Sequence, residues 1–427
     1  MFYHLVKNTY SSTTQKTHLK NQQIDFQHLL FLGMINFRLR TLCLIIFLTG
    51  FNNSLFAQET LYINSLNKAI KPILTLRPDS SFEDILFLNK VLEKKEVVAL
   101  GEVTHGTKEV FQYKDRLVRY LVSNLNFKTI AFEADNTGLQ DLDQYINGEI
   151  DSAQMSPNYK ALFEWLRIYN KNMTASKRVH LYGLELREFT STINKILVSN
   201  TDLEKEDKEV FLEIKATPFD KIDKKQLATF RSACTRLPQS LESKMLVQLI
   251  DNYYPFIGKQ RKKIGLRDAF MAENALAIKA STNDKKMIIW AHNGHVAKTS
   301  LYNESAMGEY LQNTFKEKYY VIATDINKGN VRVRKFVAKN RPVSDWEPLY
   351  YSAVDSDKGY EYYFKQCKYK NFILDVHAAM ADDQLKFFLS EPKEMRMIGA
   401  LSVPVNKKLS IANNFDMIVY FDQTSSL

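Results

Sequence analysis

The chain reads as an α/β protein, an open, mostly parallel sheet flanked by helices and interrupted by a long helical insertion. Three observations predict it. Short apolar runs without polar alternation recur at residues 97–100, 128–132, 179–182 and 287–290, as expected of strands buried on both faces. Segments of helical periodicity separate them. Residues 188–285 are long, charged and almost free of strand signal.

In chain order, residues 62–74 and 82–92 read as helices on either side of Pro78. Residues 97–100 form a strand closed by Gly101. Phe111, Leu117, Val118, Leu121 and Val122 recur along one side of a helix over 107–125, with Thr107 as its N-cap. A strand over 128–133 completes a βαβ unit, which predicts a parallel pair with a right-handed crossover. Helices over 139–146 and 160–170 precede a third strand at 179–183. After the insertion, strands are expected at 287–290, 319–324, 371–376, 395–400 and 415–421, with helices at 306–316 and 382–389. No internal repeat, low-complexity tract or heptad pattern stands out.

The 427 residues are 45 % hydrophobic, ample for a full core. Lys plus Arg number 58 against 48 Asp plus Glu, a net charge of +10. The lysines are scattered rather than clustered between aromatics, which argues against nucleic-acid binding and for a solvated surface. Residues 34–58 place Arg38 and Arg40 before an apolar stretch at 42–48 and the small-residue end Leu55-Phe56-Ala57. That order is a secretory signal or short N-terminal anchor, too short for a confident membrane span. It predicts export to the periplasm, with membrane attachment only if the segment stays uncleaved. Residues 1–33 read as an extension ahead of a working start at Met34, and 59–427 as one α/β domain containing the insertion. Beyond the leader only Cys234 and Cys367 remain, without metal-motif spacing, and they are expected as isolated buried thiols.

Two short segments carry the chemistry: Gly101-Glu102-Val103-Thr104-His105-Gly106 and Trp290-Ala291-His292-Asn293-Gly294-His295. Each follows an apolar run, so its ionisable side chains fall where a strand ends. Ligands of open parallel sheets bind there. The glycines permit tight turning or close backbone approach, and the helix beginning near Thr107 is expected to aim free amides at the first loop. Glu133 ends a third run, where an unpaired charge would be costly. It needs either a task or a salt bridge, with Arg267 as a partner. His292 and His295 meet in one cleft if the chain turns at Asn293-Gly294; the alternative is two hydrogen-bonded structural imidazoles.

An imidazole whose tautomer is set by a carboxylate can take a proton from water, and a second His or an Arg can stabilise the resulting oxyanion. No Gly-x-Ser-x-Gly elbow occurs, and Cys234 lies in a helical region, so an acyl-enzyme is disfavoured. The same set, Glu102, His105, Glu133, His292 and His295, would also suffice to hold zinc or another divalent ion.

These motifs, together with Arg267-Asp268-Ala269-Phe270-Met271-Ala272-Glu273-Asn274 and the closing Phe415-Asp416 and Asp422-Gln423-Thr424, resemble the erythromycin esterase family over roughly residues 80–424. The resemblance implies an erythromycin esterase-like α/β hydrolytic domain. It implies hydrolysis of a carboxylic ester or lactone, with macrolide ring opening the family activity. The family's essential residues match Glu102, His105, Glu133, His292 and His295, its base matches His105, and Arg267 is placed to stabilise charge. One departure stands at Gly183-Leu184-Glu185, where family members often carry Asp; the longer Glu185 is expected to move a substrate contact or a brace. Little of 188–260 matches, and that segment is expected to form the pocket wall. The family also includes proteins of succinoglycan biosynthesis. Three readings follow: an exported hydrolase of a small-molecule or glycan ester that needs no cofactor, a metal-dependent counterpart or envelope polysaccharide-modifying esterase, and a non-enzymatic envelope protein that binds haem, metal or polysaccharide. No protein partner is implied.

Overall fold

A computed structural model describes residues 58–427 except 201, 219–220, 254–263, 283, 303, 339–340 and 403–405. The leader-like segment and the 1–33 extension lie outside the described residues. Residues 62–427 form one unit.

Its frame is a nine-stranded sheet in the order β1-β8-β11-β6-β2-β5-β3-β4, with β7 paired to β6. The strands are β1 (Lys71–Pro72), β2 (Val97–Glu102), β3 (Thr129–Asp135), β4 (His180–Glu185), β5 (Met287–His292), β6 (Tyr319–Ala338), β7 (Arg341–Tyr351), β8 (Asn371–Asp375) and β11 (Met417–Thr424). A small separate pair is formed by β9 (Lys393–Arg396) and β10 (Asn406–Leu409). The block β11-β6-β2-β5-β3-β4 is parallel, while β8 and β1 add an antiparallel edge. The expected fold class therefore holds.

Strand alternation sends Val97 and Ala99 to one face and Val98 and Leu100 to the other, so each face acquires its own core. Helices α1 (Lys108–Leu125), α2 (Asn136–Ile146) and α3 (Pro157–Lys171) contribute to the second face. The insertion helices α4 (Thr190–Ser199), α5 (Lys205–Ala216), α6 (Lys224–Arg236) and α7 (Leu241–Tyr253) enclose a core of their own around Phe211, Phe230 and Leu246. Helix α8 (Ile264–Ser281) returns the chain to the first face, where Met271, Ala275 and Ile278 are buried.

Several expectations are corrected. The first helix ends at residue 69 rather than 74, because Lys71-Pro72 disfavours a helical residue before proline and pairs with β8 instead. The helix expected over 82–92 is split into a short 3-10 turn, Glu83–Ile85, and a helix, Leu88–Leu92. The βαβ pair β2 and β3 are parallel but not neighbours, since β5 lies between them and bonds to both. The strand expected at 395–400 stops at Arg396. The largest omission is a hairpin: β6 continues past residue 324 and pairs antiparallel with β7, Val331 opposite Leu349 and Val333 opposite Glu347. Cys234 and Cys367 are free and buried, as expected.

That hairpin anchors the loop after β2. Arg332 N–H donates to Gly106 O at 2.9 Å, and Leu427 N–H donates to the same oxygen at 3.1 Å. The backbones approach so closely that a Cβ on Gly106 would lie 1.9 Å from Arg332 O. Gly106→Ala should therefore lower stability by about 1–3 kcal/mol. By contrast Gly138, with nothing within 4 Å of a Cβ, should gain about 0.4–1 kcal/mol as Ala in the helix α2. Urea unfolding of the two variants checks the opposite signs; a neutral Gly106→Ala would show that the hairpin gives way.

Candidate active site

Strands β2, β5 and β3 lie side by side, so their carboxyl ends bring Glu102, His292 and Glu133 to one edge. The anchor is Glu102, only 2 % exposed. One oxygen, Oε1, lies 2.6 Å from His105 Nδ1. The other accepts from Lys114 Nζ at 2.7 Å and from Trp290 Nε1 at 2.8 Å. Burial pushes the carboxyl up, but Lys114 and His105 outweigh it and hold the group at about 2. It is thus a carboxylate at neutral pH, and His105 must present Nδ1–H to it. Nε2 is the ring's second nitrogen, on a side chain 29 % exposed that lines a cavity.

The His105 loop is held from behind. His105 N–H and the Thr104 hydroxyl both donate to Gly399 O, and Gly399 N–H returns a bond to Val103 O at 3.2 Å. Gly399 has φ of 61°, the left-handed region that favours glycine. The helix amides expected to face this loop are used elsewhere. Lys108 N–H, the first of α1, donates to Ser425 O, and Thr107 pairs with Ser426. The first amide of that helix end is therefore taken up by the segment at 425–426 rather than aimed at the His105 loop.

His292 has both ring nitrogens in backbone hydrogen bonds. Nδ1 accepts from Gly294 N–H at 3.1 Å, which puts the proton on Nε2, 3.3 Å from Val103 O. Burial, with His105 and His295 nearby, pulls the ring down to about 3, so it stays neutral. Its centroid is 5.6 Å from that of His105. Its backbone N–H donates to Glu133 Oε2 at 2.9 Å.

Glu133 Oε1 accepts from Arg267 Nη2 at 3.0 Å and lies 3.3 Å from His295 Nε2. Burial raises its carboxyl, but His295 and Arg267 hold it well below the ordinary range. Arg267, from α8, also donates Nε–H to Glu185 Oε2 at 2.6 Å and pairs with Glu185 Oε1. The longer acid at 185 is thus a brace for Arg267. Arg187, itself paired with Glu185, donates to Glu133 O at 2.7 Å.

His295 Nδ1 faces Asp268 Oδ1 at 2.8 Å. Burial opposes charge on this ring, but Glu133 and Asp268 raise it to about 10. Arg267 Nη1 lies 3.1 Å from Nε2 and by itself favours a neutral ring with a lone pair there. Two carboxylates against one guanidinium keep the imidazole protonated.

All six residues singled out in the sequence, Glu102, His105, Glu133, His292, His295 and Arg267, therefore meet in one network. Lys114 was missed. It lies in the apolar stripe Val110, Lys114, Val118 of α1, and a lysine interrupting such a stripe was the available signal. Burial lowers its amine to about 8 against the pull of Glu102, and its Nζ sits 4.2 Å from the Trp290 ring centre. The donor set is a poor metal cradle, because cations and N–H groups already occupy the carboxylate oxygens and both His292 nitrogens. No group of three or more His, Cys, Asp or Glu placed to hold an ion occurs among the described residues.

The adjoining cavity is lined by residues of β3, α2, α3, β5 and the 154–156 segment. Among the described residues none of 188–260 lines this cavity, which corrects the expectation that this segment forms its wall. The insertion's last helix supplies the half-buried Arg267 and the buried Asp268 instead. Tyr159 and Phe163 line the cavity, whereas Trp165 stacks on Tyr169, 5.4 Å between ring centres. Tyr254 lies outside the described residues, and the Tyr253 side chain is not described.

The two buried imidazoles have opposite pH signatures. Both start from an ordinary value of 6.5. Below that value the unfolded chain takes a proton that folded His292 refuses, so its contribution is lost as pH falls toward about 3. Folded His295 keeps a proton that the unfolded chain releases, so its contribution is lost as pH rises toward about 10. In urea unfolding, the stability gap between the native chain and His292→Gln should narrow by about 1–3 kcal/mol on acidification from neutrality. The gap for His295→Gln should narrow comparably on the alkaline side. Gaps that do not change with pH would contradict these protonation states.

Comparison with known proteins gives the arrangement its context. The erythromycin esterase family model matches residues 122–424, more than half of the chain. Erythromycin esterase type II of Escherichia coli is 24 % identical over 318 residues, 61 % of this chain and 75 % of that protein. A solved succinoglycan biosynthesis protein has the same fold, with a TM-score of 0.75 at 23 % identity, covering 86 % of this chain and 98 % of that one. An erythromycin esterase mutant solved in its open conformation has a TM-score of 0.64 at 16 % identity, covering 83 % and 97 %. This chain belongs to the erythromycin esterase family.

Proposed function

We propose that the chain is a carboxylic-ester hydrolase in which His105 activates water directly. The observation that supports this is the 2.6 Å contact between Glu102 and His105 Nδ1 beside an apolar cavity, with Nε2 free to face it. His105 Nε2 takes a proton from water as the oxygen attacks the ester or lactone carbonyl. A tetrahedral oxyanion forms. Its collapse breaks the bond to the alcohol oxygen, which receives the proton from His105 Nε2–H. Ester and water thus give acid and alcohol, and no group stays on the protein.

The other residues position this base and set the field around it. Glu102 holds the tautomer and stabilises the imidazolium that forms in the step. Lys114 and Trp290 keep Glu102 ionised and in place. Glu133, neutralised by Arg267 and protonated His295, orients the His292 backbone beside His105. Lys114 behind Glu102 and the cationic Arg267–His295 pair behind Glu133 supply positive potential for the oxyanion. A glycan ester and a macrolide lactone both fall within this reaction class. We also propose export, on the basic-then-apolar order of residues 34–58. Among the described residues no helix is long and apolar enough to cross a membrane.

His105→Ala should cut kcat/KM on a hydrolysed ester by about 10²–10⁴-fold while the melting temperature holds. Glu102→Gln should cost activity and stability together, because Lys114 then loses its buried counter-charge. The measurement is ester hydrolysis by pH-stat with and without chelator. Turnover unchanged in His105→Ala rejects the base, and turnover abolished by chelation and restored by zinc rejects the direct scheme.

A further inference from the structure

The cavity beside His105 has a size and a wall that select substrates. Its volume is about 180 Å³. Phe132, Leu139, Leu142, Tyr159, Phe163 and Trp290 form the apolar side, while Glu102, His105 and Glu133 stand at its polar end. The aromatic residues hold one another. Tyr159 stacks on Phe163 at 5.8 Å and meets Trp290 edge-on at 5.4 Å, and Phe132 stacks on Trp290 at 5.8 Å. Trp290 is further fixed by its bond to Glu102. A wall so interlocked resists expansion, since each ring that moves must displace another.

Volume then sets the ligand. An apolar cavity of roughly 150 Å³ takes one benzene molecule, and pockets for drug-sized ligands run from about 300 to 1,000 Å³. The space beside His105 thus matches a phenyl ring or a short branched alkyl group. The carboxylates at its polar end are already paired with Lys114, Arg267 and His295, and the polar side chains among the other lining residues, Gln154, Ser156 and Tyr159, are uncharged, so a charged group finds no counter-ion there.

We propose that this cavity receives one half of the substrate, a compact uncharged group of phenyl or branched-alkyl size, and that small esters rather than macrocyclic lactones are hydrolysed at His105. The proposal rests on the hydrolytic reading above and narrows its substrate class. Phe163 and Leu142, two of the apolar lining residues, set the upper size limit.

Two series of neutral esters test it on the full chain. One enlarges the acyl half of methyl esters (acetate, isobutyrate, phenylacetate, naphthylacetate). The other enlarges the alcohol half of acetates (methyl, isobutyl, benzyl, naphthylmethyl). Erythromycin is the macrocyclic comparison. The expected result is a kcat/KM optimum at the branched or phenyl member of one series. The naphthyl member and erythromycin should fall at least about tenfold below it, as a hydrophobic pocket discriminates by about 10–200-fold. The series that shows the optimum names the half that enters. Phe163→Ala should raise the naphthyl-to-phenyl ratio at least about tenfold, with Leu142→Ala as a second enlarging variant and melting temperature as the check on folding.

Phenylacetone, which hydrolysis cannot consume, separates the two claims by calorimetric binding to the native chain and to His105→Ala. Ketone binding that Phe163→Ala weakens, without ester turnover, supports the cavity and removes the hydrolytic reading. Ester turnover with no size optimum, or erythromycin as the best substrate, overturns the cavity proposal and leaves the base in place. Absence of ketone binding together with absence of turnover overturns both.

Discussion

A carboxylate sealed inside an apolar sheet edge is the constraint from which the rest of this site follows. Glu102 is tolerated there because Lys114, Trp290 and His105 converge on its two oxygens. The three donors come from a helix, a neighbouring strand and the following loop. Removing Lys114, the cation among them, would leave the buried carboxylate without its counter-charge, at a cost of several kcal/mol. The result is an imidazole, His105, whose Nδ1 is fixed to within a hydrogen-bond length beside the cavity. Trp290 meets two demands at once, since its indole N–H bonds Glu102 while its ring walls the cavity.

A second layer of alternating charge ties the helical insertion to this edge. Arg267 on α8 reaches Glu133 of β3 and Glu185 of β4, and Asp268 on the same helix holds His295 beyond β5. Adjacent residues of one helix thus secure three strand ends. The polar end of the site is a set of mutually neutralising ions, whereas the space beside it is lined by rings. Such a division favours a neutral substrate whose carbonyl meets the ions and whose bulk meets the rings.

Of the two roles expected of the first-loop glycines, tight turning and close backbone approach, the structure shows the second. Neither Gly101 nor Gly106 has a positive φ; what Gly106 provides is room for the Arg332 backbone. The loop that carries His105 is therefore stitched to the β6–β7 hairpin, to Gly399 and to the last residues of the chain. Residues more than two hundred positions away in sequence decide where His105 stands.

Strand ends were legible because buried parallel strands leave uninterrupted apolar runs, and an ionisable residue after such a run marks the sheet edge. That local pattern picked out Glu102, His105, Glu133, His292 and His295, and the motif resemblance added Arg267. Lys114 escaped because its helix is otherwise amphipathic, and burial of a lysine is decided by the carboxylate it meets. The β6–β7 hairpin escaped because the mostly polar run at 324–330, which includes Gly329, separates its alternating Val-Arg-Val-Arg pattern from the apolar start of the same strand. Sequence by itself determined the sheet, its helices and the group of side chains that gather at its carboxyl edge, since period and polarity are properties of neighbouring residues. Only the tertiary structure decided that β5 sits between β2 and β3, which imidazole keeps an open nitrogen and which segments wall the cavity. Those depend on contacts between residues far apart in the chain, and pairing energies of that kind leave no local period to read.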